Sequence, residues 1–391
     1  MHQCAAFPGV IQLVSIITLT SCGGFGAQAH GAAVEQAPAP RRALAPLPAT
    51  PPPAATSGAV RAPDTNAAAT AAAEAPLSTA AVALSPARQV IERADAGSIH
   101  RVGASSAFLI KVQVLLDRAH FSPGAIDGRF GGNLSHAIMA YQRAHGMSAD
   151  GVAGPALVGA LVKADPDPVT RDYVVTPADV AGPFLGKTPT DLLALSKLRH
   201  ADYGDSAQEL AERFHMSQTL LRAMNPGAEF SIAGVSIIVV RPGDAKLLLP
   251  VARVEVDKAT NQVRAFDAKG TVEAVFPATV GSTERPAPAG VWAVRLVTQN
   301  PDYTYDPSKL TFGPKAMGVL TIPPGPNNPV GTTWIALTKP TYGIHGSPDP
   351  TLIGKRASHG CVRLTNWDAA ALGHAVVKGT PVVFLGETTK H

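Results

Sequence analysis

The 391-residue sequence is longer than one ordinary domain needs, and its 36 glycines and 35 prolines weigh against a single uninterrupted core. Its formal charge of +4 is mildly basic, but no run of Lys and Arg is dense enough to mark a nucleic-acid tract; no nucleic-acid partner is expected, and a polyanionic wall surface fits as well as anything. Of the three cysteines, Cys4, Cys22 and Cys361, processing before Cys22 would leave one lipidated sulfur and one thiol, and no structural disulfide.

Residues 1–29 read as a signal peptide. The apolar stretch Val10 to Ile17 is too short to span a bilayer but suits a signal core, although only His2 supplies any basic character before it. Two processing sites compete. Leu19-Thr20-Ser21-Cys22 followed by Gly23 resembles a lipoprotein signal with lipidation at Cys22, and Ala27-Gln28-Ala29 resembles an ordinary small-residue cleavage site. Both imply export to the periplasm or cell envelope, and the first adds a membrane anchor. Residues 30–105 are rich in Ala, Pro and Thr with few large apolar side chains, so they are expected to be a disordered linker.

The first folded module is expected over residues 106–163. Ile110, Val112, Val114, Leu115 and Leu116 open one helix, Ala137, Ile138, Ala140, Tyr141 and Ala144 mark a second, and Pro155 to Leu161 a third. Between them stand two similar turns, Asp127-Gly128 and Asp150-Gly151, whose residues read as turn formers and suggest a short internal repeat. With Gln113 and the run Tyr141-Gln142-Arg143-Ala144-His145-Gly146, this stretch resembles the small three-helix peptidoglycan-binding domain.

Residues 164–187, opening with Asp165-Pro166-Asp167-Pro168, read as a linker. A small α+β module follows over 188–243: a helix from Ala207 with Ser206 as its N-cap and Glu209 in the capping-box position, a second helix from Ser217 to Met224, and a strand from Val235 to Val240. That order resembles a degenerate lysin-motif glycan-binding unit.

From Leu247 the texture changes to short β-branched and aromatic runs separated by turn residues. Arg253 to Val256, Val263 to Phe266, Val272 to Phe276, Val291 to Val297, Thr332 to Leu337 and Pro381 to Phe384 suit strands of a sandwich or barrel over 247–386, with one amphipathic helix at Asn366 to Val376. Near its end stand His345-Gly346 and, sixteen positions beyond His345, Cys361 in the run Ser358-His359-Gly360-Cys361-Val362-Arg363. A thiol with an ordinary pKa of about 8.5 is only slightly ionised at neutral pH, so a catalytic Cys needs an imidazole or a positive field beside it. His345 is the expected partner, Gly360 permits a tight turn that aims amide N–H groups, and Arg363 shares a strand face with Cys361. The other histidines, among them His120, His136, His145, His200, His215 and His374, show no metal-ligand spacing shared with a cysteine, and no metal is expected.

This stretch resembles the catalytic domain of the L,D-transpeptidases, with supporting likeness at Pro288-Ala289-Gly290, at the substrate-side run from Gly325 to Gly331, and at Tyr342-Gly343-Ile344. The expected whole is therefore multidomain: a three-helix peptidoglycan-binding domain, a lysin-motif-like α+β module and a mainly β catalytic domain. The resemblance implies Cys361 as nucleophile and His345 as its base, oriented through the carbonyl of Gly346. It places His359 and Gly360 in the oxyanion pocket, and Ser358, Arg363 and Tyr342 in binding or support. It implies thioester chemistry on peptidoglycan stem peptides and glycan with no cofactor. The acceptor is left open between another stem, a lysine of a wall-tethered protein, and water, which would make an L,D-carboxypeptidase. It also implies that all the chemistry follows Leu247 and that a carbapenem-class β-lactam acylates this part alone. The rival is a non-catalytic wall-binding protein.

Overall fold

The computed structural model describes residues 85–95, 105–244, 246–247, 250–281, 286–308, 318–355 and 360–386, all within one compact unit, Thr79–His391. The signal segment with Cys22, most of the Ala/Pro-rich linker, Ser358 and His359 lie outside the described residues.

Helix α1 (Pro86–Glu92) precedes the three-helix module of α2 (Ala107–Arg118), α3 (Gly132–Ala144) and α4 (Pro155–Ala164). The internal repeat has a physical basis. The Gln113 side chain accepts from the Gly128 amide at 2.7 Å and donates to Asp127 at 2.9 Å; Gln142 does the same at Gly151 (3.0 Å) and Asp150 (2.7 Å). Each helix thus closes the following Asp-Gly turn with a buried glutamine, at glycines with φ of +70° that have no room for a side chain. Asp127 and Asp150 each also accept from the amide two residues on, as turn formers do.

Two stretches read as linkers carry ordered structure. Residues 164–187 contain β1 (Thr170–Val174) and the short α5 (Pro177–Val180), and 30–105 contains α1. Glu92 accepts from the Thr170 amide and hydroxyl at 2.8 and 2.6 Å, and Arg88 reaches Asp172 at 2.6 Å, which fastens α1 to β1. After α6 (Leu192–Ser196) come α7 (Ser206–Arg213), α8 (Gln218–Met224) and β2 (Ser236–Val240), the last pairing antiparallel with β1. The N-cap of α7 is Asp205, whose carboxylate accepts from the Gln208 amide at 2.7 Å. Ser206 is displaced from that role because its hydroxyl is buried and donates to the Phe230 carbonyl at 2.8 Å.

The last domain introduces β3 (Arg253–Asp257), β4 (Gln262–Phe266), β5 (Val272–Pro277), β6 (Thr279–Val280), β7 (Gly290–Gln299), β8 (Tyr303–Tyr305), β9 (Leu320–Ile322), β10 (Thr333–Leu337), β11 (Gly343–His345), β12 (Val362–Arg363), α9 (Asn366–Ala375) and β13 (Pro381–Leu385). Among the described residues, nine strands form one sheet in the order β5-β4-β3-β13-β7-β10-β11-β12-β6, while β8 and β9 pair separately. Its two edges, β5 and β6, are separated in sequence only by Ala278, so the sheet curls into a near-barrel. Val254, Val256, Val263, Ile335, Ile344 and Val382 fill the interior, and α9 seals it with Ala369 and Leu372.

The modules are wired together by backbone as well as side chains. Val275 makes two main-chain bonds across the first and last domains, its amide donating to the His120 carbonyl and its carbonyl accepting from the Ser122 amide, both at 2.8 Å. Ile126 and the His215–Ser217 segment do likewise at 2.8 and 2.9 Å.

Candidate active site

The site grows from a row of cross-strand partners. In the β10–β11–β12–β6 register, Trp334 lies opposite His345, His345 opposite Arg363, and Arg363 opposite Thr279. Ile344 and Val362, paired with each other, are buried in the domain core, so the period of two puts His345, Arg363 and Cys361 on the other face of the sheet. Gly343 is needed there. A Cβ at that position would stand 2.6 Å from the Trp334 ring, which instead extends to stack on His345 at 5.3 Å between centroids.

His345 is 4% exposed, and its Nδ1 lies 2.7 Å from the Gly346 carbonyl oxygen. A carbonyl only accepts, so Nδ1 carries the proton and Nε2 keeps its lone pair. Burial and the positive charge of Arg363 push the imidazole down to about 3, against the opposing pull of the Gly346 bond. A ring held neutral so far below neutral pH is a proton acceptor and not a standing cation. The cation of this row is Arg363. Burial pulls its guanidinium down from the ordinary value, while Cys361 and Tyr303 act in the other direction. Arginine nonetheless stays charged at neutral pH.

Cys361 is half-buried immediately before β12, with Sγ 3.9 Å from the Thr341 carbonyl oxygen. Gly360 has φ of +105°, and a Cβ there would press on the Tyr342 ring at 3.3 Å, so Tyr342 packs over the turn that presents the thiol. Of the site residues read from sequence, Cys361, His345, Gly346, Gly360, Arg363 and Tyr342 are therefore gathered on the β11–β12 strip. Ser358 and His359 are outside the described residues.

Three neighbours escaped the sequence reading. Tyr303, on β8, has its phenol pushed up by burial first and then by the negative charge of Cys361. Trp334 stacks on the imidazole, and Asn366, the first residue of α9, touches the backbone where β10 begins and where the histidine strand β11 ends. The run Gly325 to Gly331, expected on the substrate side, has its amide side chains committed elsewhere. Asn327 bonds Asp202 and Gln208 of the helical module, and Asn328 is fully buried against the Pro323 carbonyl.

A model of the L,D-transpeptidase catalytic domain matches residues 252–384, and a model of a peptidoglycan-binding domain matches 105–161. A Bacillus subtilis protein named L,D-transpeptidase YqjB is 30% identical over 147 residues, covering 36% of this chain and 72% of that protein. The chain belongs to the L,D-transpeptidase family. L,D-transpeptidase YkuD of Bacillus licheniformis is 28% identical over 181 residues, 46% of this chain and 93% of that protein. Among solved structures, L,D-transpeptidase 3 from Mycobacterium tuberculosis with a faropenem-derived adduct shares 17% identity at a TM-score of 0.30, covering 40% of this chain and 75% of the other. An L,D-transpeptidase variant from Enterococcus faecium shares 23% identity at 0.27, covering 35% of this chain; the match spans about half of that enzyme's length, 51%. In this L,D-transpeptidase the catalytic-domain match contains the whole His345–Cys361 strip, and the binding-domain match contains both Gln-closed turns.

Proposed function

We propose that the protein is an envelope L,D-transpeptidase in which Cys361 attacks the carbonyl between the third residue of a peptidoglycan stem, a diamino acid, and its terminal D-Ala. The observation that carries this reading is the register of His345 with Arg363, which sets a neutral, tautomer-fixed imidazole and a guanidinium on the sheet face that bears Cys361.

The Cys361 sulfur forms a bond to the carbonyl carbon as its proton passes to Nε2 of His345, and Arg363 favours the developing thiolate. The carbonyl oxygen becomes an oxyanion, received by backbone N–H donors of the Gly360–Cys361 turn with His359 beside them. Collapse of the tetrahedral intermediate breaks the C–N bond, and D-Ala leaves with the proton from His345. An imidazolium that the site disfavours gives up its proton readily, so the low basicity of His345 helps departure. An acceptor amine then attacks the thioester, loses its proton to His345, and the thiol is restored as the proton returns to sulfur. A second stem as acceptor gives a 3→3 cross-link, a protein lysine gives wall attachment, and water gives a carboxypeptidase.

The reading includes export, by cleavage after Ala29 or by lipidation at Cys22, and acylation of Cys361 by carbapenem-class β-lactams. The antiparallel pairing of β1 with β2 beside the helices α7 and α8, with the short α5 and α6 inserted after β1, supports a lysin-motif-like second contact with glycan. Incubation with purified disaccharide-tetrapeptide tests the whole. D-Ala release is expected from the wild type and not from Cys361→Ala, and product masses identify the acceptor. Absence of release from the wild type would favour a non-catalytic wall-binding protein.

A further inference from the structure

The helical module between the two matched domains has no assigned part in the reaction, yet one of its side chains reaches the strip that carries His345. Asn366 is the first residue of α9, held there by the N-cap Thr365. Its Oδ1 accepts from the Thr332 amide at 3.2 Å, just before the strand of Trp334. That oxygen is wedged between two glycines: a Cβ would lie 2.0 Å from it at Gly331 and 2.2 Å at Gly346. The Gly346 backbone therefore rests on the Asn366 amide, while its carbonyl accepts from His345 Nδ1 and its amide donates to the Thr333 carbonyl at 3.1 Å.

What orients Asn366 comes from outside the catalytic domain. Its Nδ2 donates to Glu212 Oε1 at 2.9 Å, and to the Pro326 carbonyl at 3.2 Å. Glu212 lies on α7, and the same oxygen accepts from the Tyr203 hydroxyl at 3.2 Å. An amide can be turned end for end at little cost unless its two ends face different partners. Here a carboxylate fixes the NH2 end, and so the oxygen must face Thr332 and Gly346. A second tie holds the neighbouring loop, because the Ala201 amide donates to Pro324 at 2.8 Å and the Asn327 amide donates to Ala201 at 2.9 Å.

We infer that Glu212 and Asn366 are positioning residues for the reaction: Glu212 of the helical module fixes the Asn366 amide, which supports the Gly346 carbonyl and through it the tautomer and angle of His345. The active site is then incomplete without the helical module, whatever that module also binds. Burial pushes the Glu212 carboxyl up to about 7, against the hydrogen bonds from Asn366 and Tyr203 and the weaker pull of His215, which fits an acid enclosed at a junction. The groups facing it are Tyr203 on its own module, Asn366 on α9, and His215 at the end of α7.

The inference rests on the proposed roles of His345 and Cys361, and the test separates the two. The full-length protein is compared with Glu212→Gln, Glu212→Ala, Asn366→Asp and Cys361→Ala. Readouts are turnover of disaccharide-tetrapeptide, melting, and the Nδ1–H resonance of His345 in protein labelled with 15N-histidine. Gln keeps an oxygen that accepts from both Tyr203 and Asn366, so Glu212→Gln should keep kcat within about threefold and leave the His345 resonance in place. Ala leaves the amide unoriented, and Asp at 366 loses the donor and sets two acids together. Both should lower kcat at least about tenfold with KM changed less than threefold, and broaden or shift the Nδ1–H signal. The inference is overturned if Asn366→Asp, melting within a few degrees of the wild type, keeps full kcat and an unchanged His345 signal. It is overturned equally if Glu212→Gln is as impaired as Glu212→Ala, since a charge and not a hydrogen-bond geometry would then be at work. Should Glu212→Ala fail to fold, the Gln and Asp variants decide alone. Turnover by Cys361→Ala would instead sink the underlying assignment.

Discussion

Replacing Arg363 by Gln should make Cys361 a weaker nucleophile at neutral pH, and by an amount that the strand geometry sets. Residues two apart on one face of a strand are about 7 Å apart. At that distance, with an effective dielectric constant of about 20 to 40, a unit positive charge favours a thiolate by about 1 to 2.5 kcal/mol, or about one to two pKa units. Removing the cation destabilises the thiolate, so the thiol pKa rises by that much and the thiolate fraction at pH 7 falls about ten- to a hundredfold. Rates of iodoacetamide labelling of Cys361 from pH 5 to 10 measure this directly. Arg363→Lys, which keeps the charge, should recover most of the rate. His345→Ala should slow acylation by substrate but move the alkylation profile less than Arg363→Gln does, because the ring is already neutral above about pH 3. An alkylation profile that shifts with His345→Ala and not with a well-folded Arg363→Gln would refute this assignment of the positive field.

Asp368 is 3% exposed, accepts from Ser122 Oγ at 3.0 Å, and lies near Asp117 and His215; burial first, then Asp117, push its carboxyl up to about 7. A carboxyl whose folded pKa is raised contributes stability at acid pH that is lost as pH climbs from about 4 to about 7. Asp368→Asn should therefore melt close to the wild type at pH 4 and gain on it up to pH 7–8, by an amount on the order of 4 kcal/mol; a gain independent of pH would contradict it. At Gly325, with φ of +142°, a Cβ would meet the Ala201 carbonyl oxygen at 2.3 Å. Gly325→Ala should lose about 2 kcal/mol or more in urea unfolding, and unchanged stability would show that the junction yields freely.

Several features were legible in the sequence because they are local. The Asp-Gly turns announced a repeat, and the alternation in Arg253 to Val256 and Val263 to Phe266 announced strands that the structure pairs with each other. Strand β1 was not legible, because Arg171 and Asp172 are exposed and its partner β2 lies far along the chain, after four helices. The N-cap of α7 was misplaced by one residue, since nothing local reveals that the Ser206 hydroxyl is spent on Phe230. Around Cys361 the motif residues could be read because they are close in sequence. Tyr303, Trp334 and Asn366 come from three other elements, and only the curled sheet and the packing of α9 bring them in. The contacts that Ala201, Gln208 and Glu212 make with the loop or helix flanking the site were not legible for the same reason.

The central claim is that the stem is carried on Cys361, and mass spectrometry of the acyl-enzyme tests it most directly. The full-length protein, mixed with disaccharide-tetrapeptide in the absence of an acceptor amine and quenched in acid, should gain the mass of the donor less D-Ala. Digestion should place that mass on the peptide containing Cys361, and Cys361→Ala should show no adduct while melting as the wild type does. D-Ala release without any covalent adduct, or an adduct that persists in Cys361→Ala, would contradict the account.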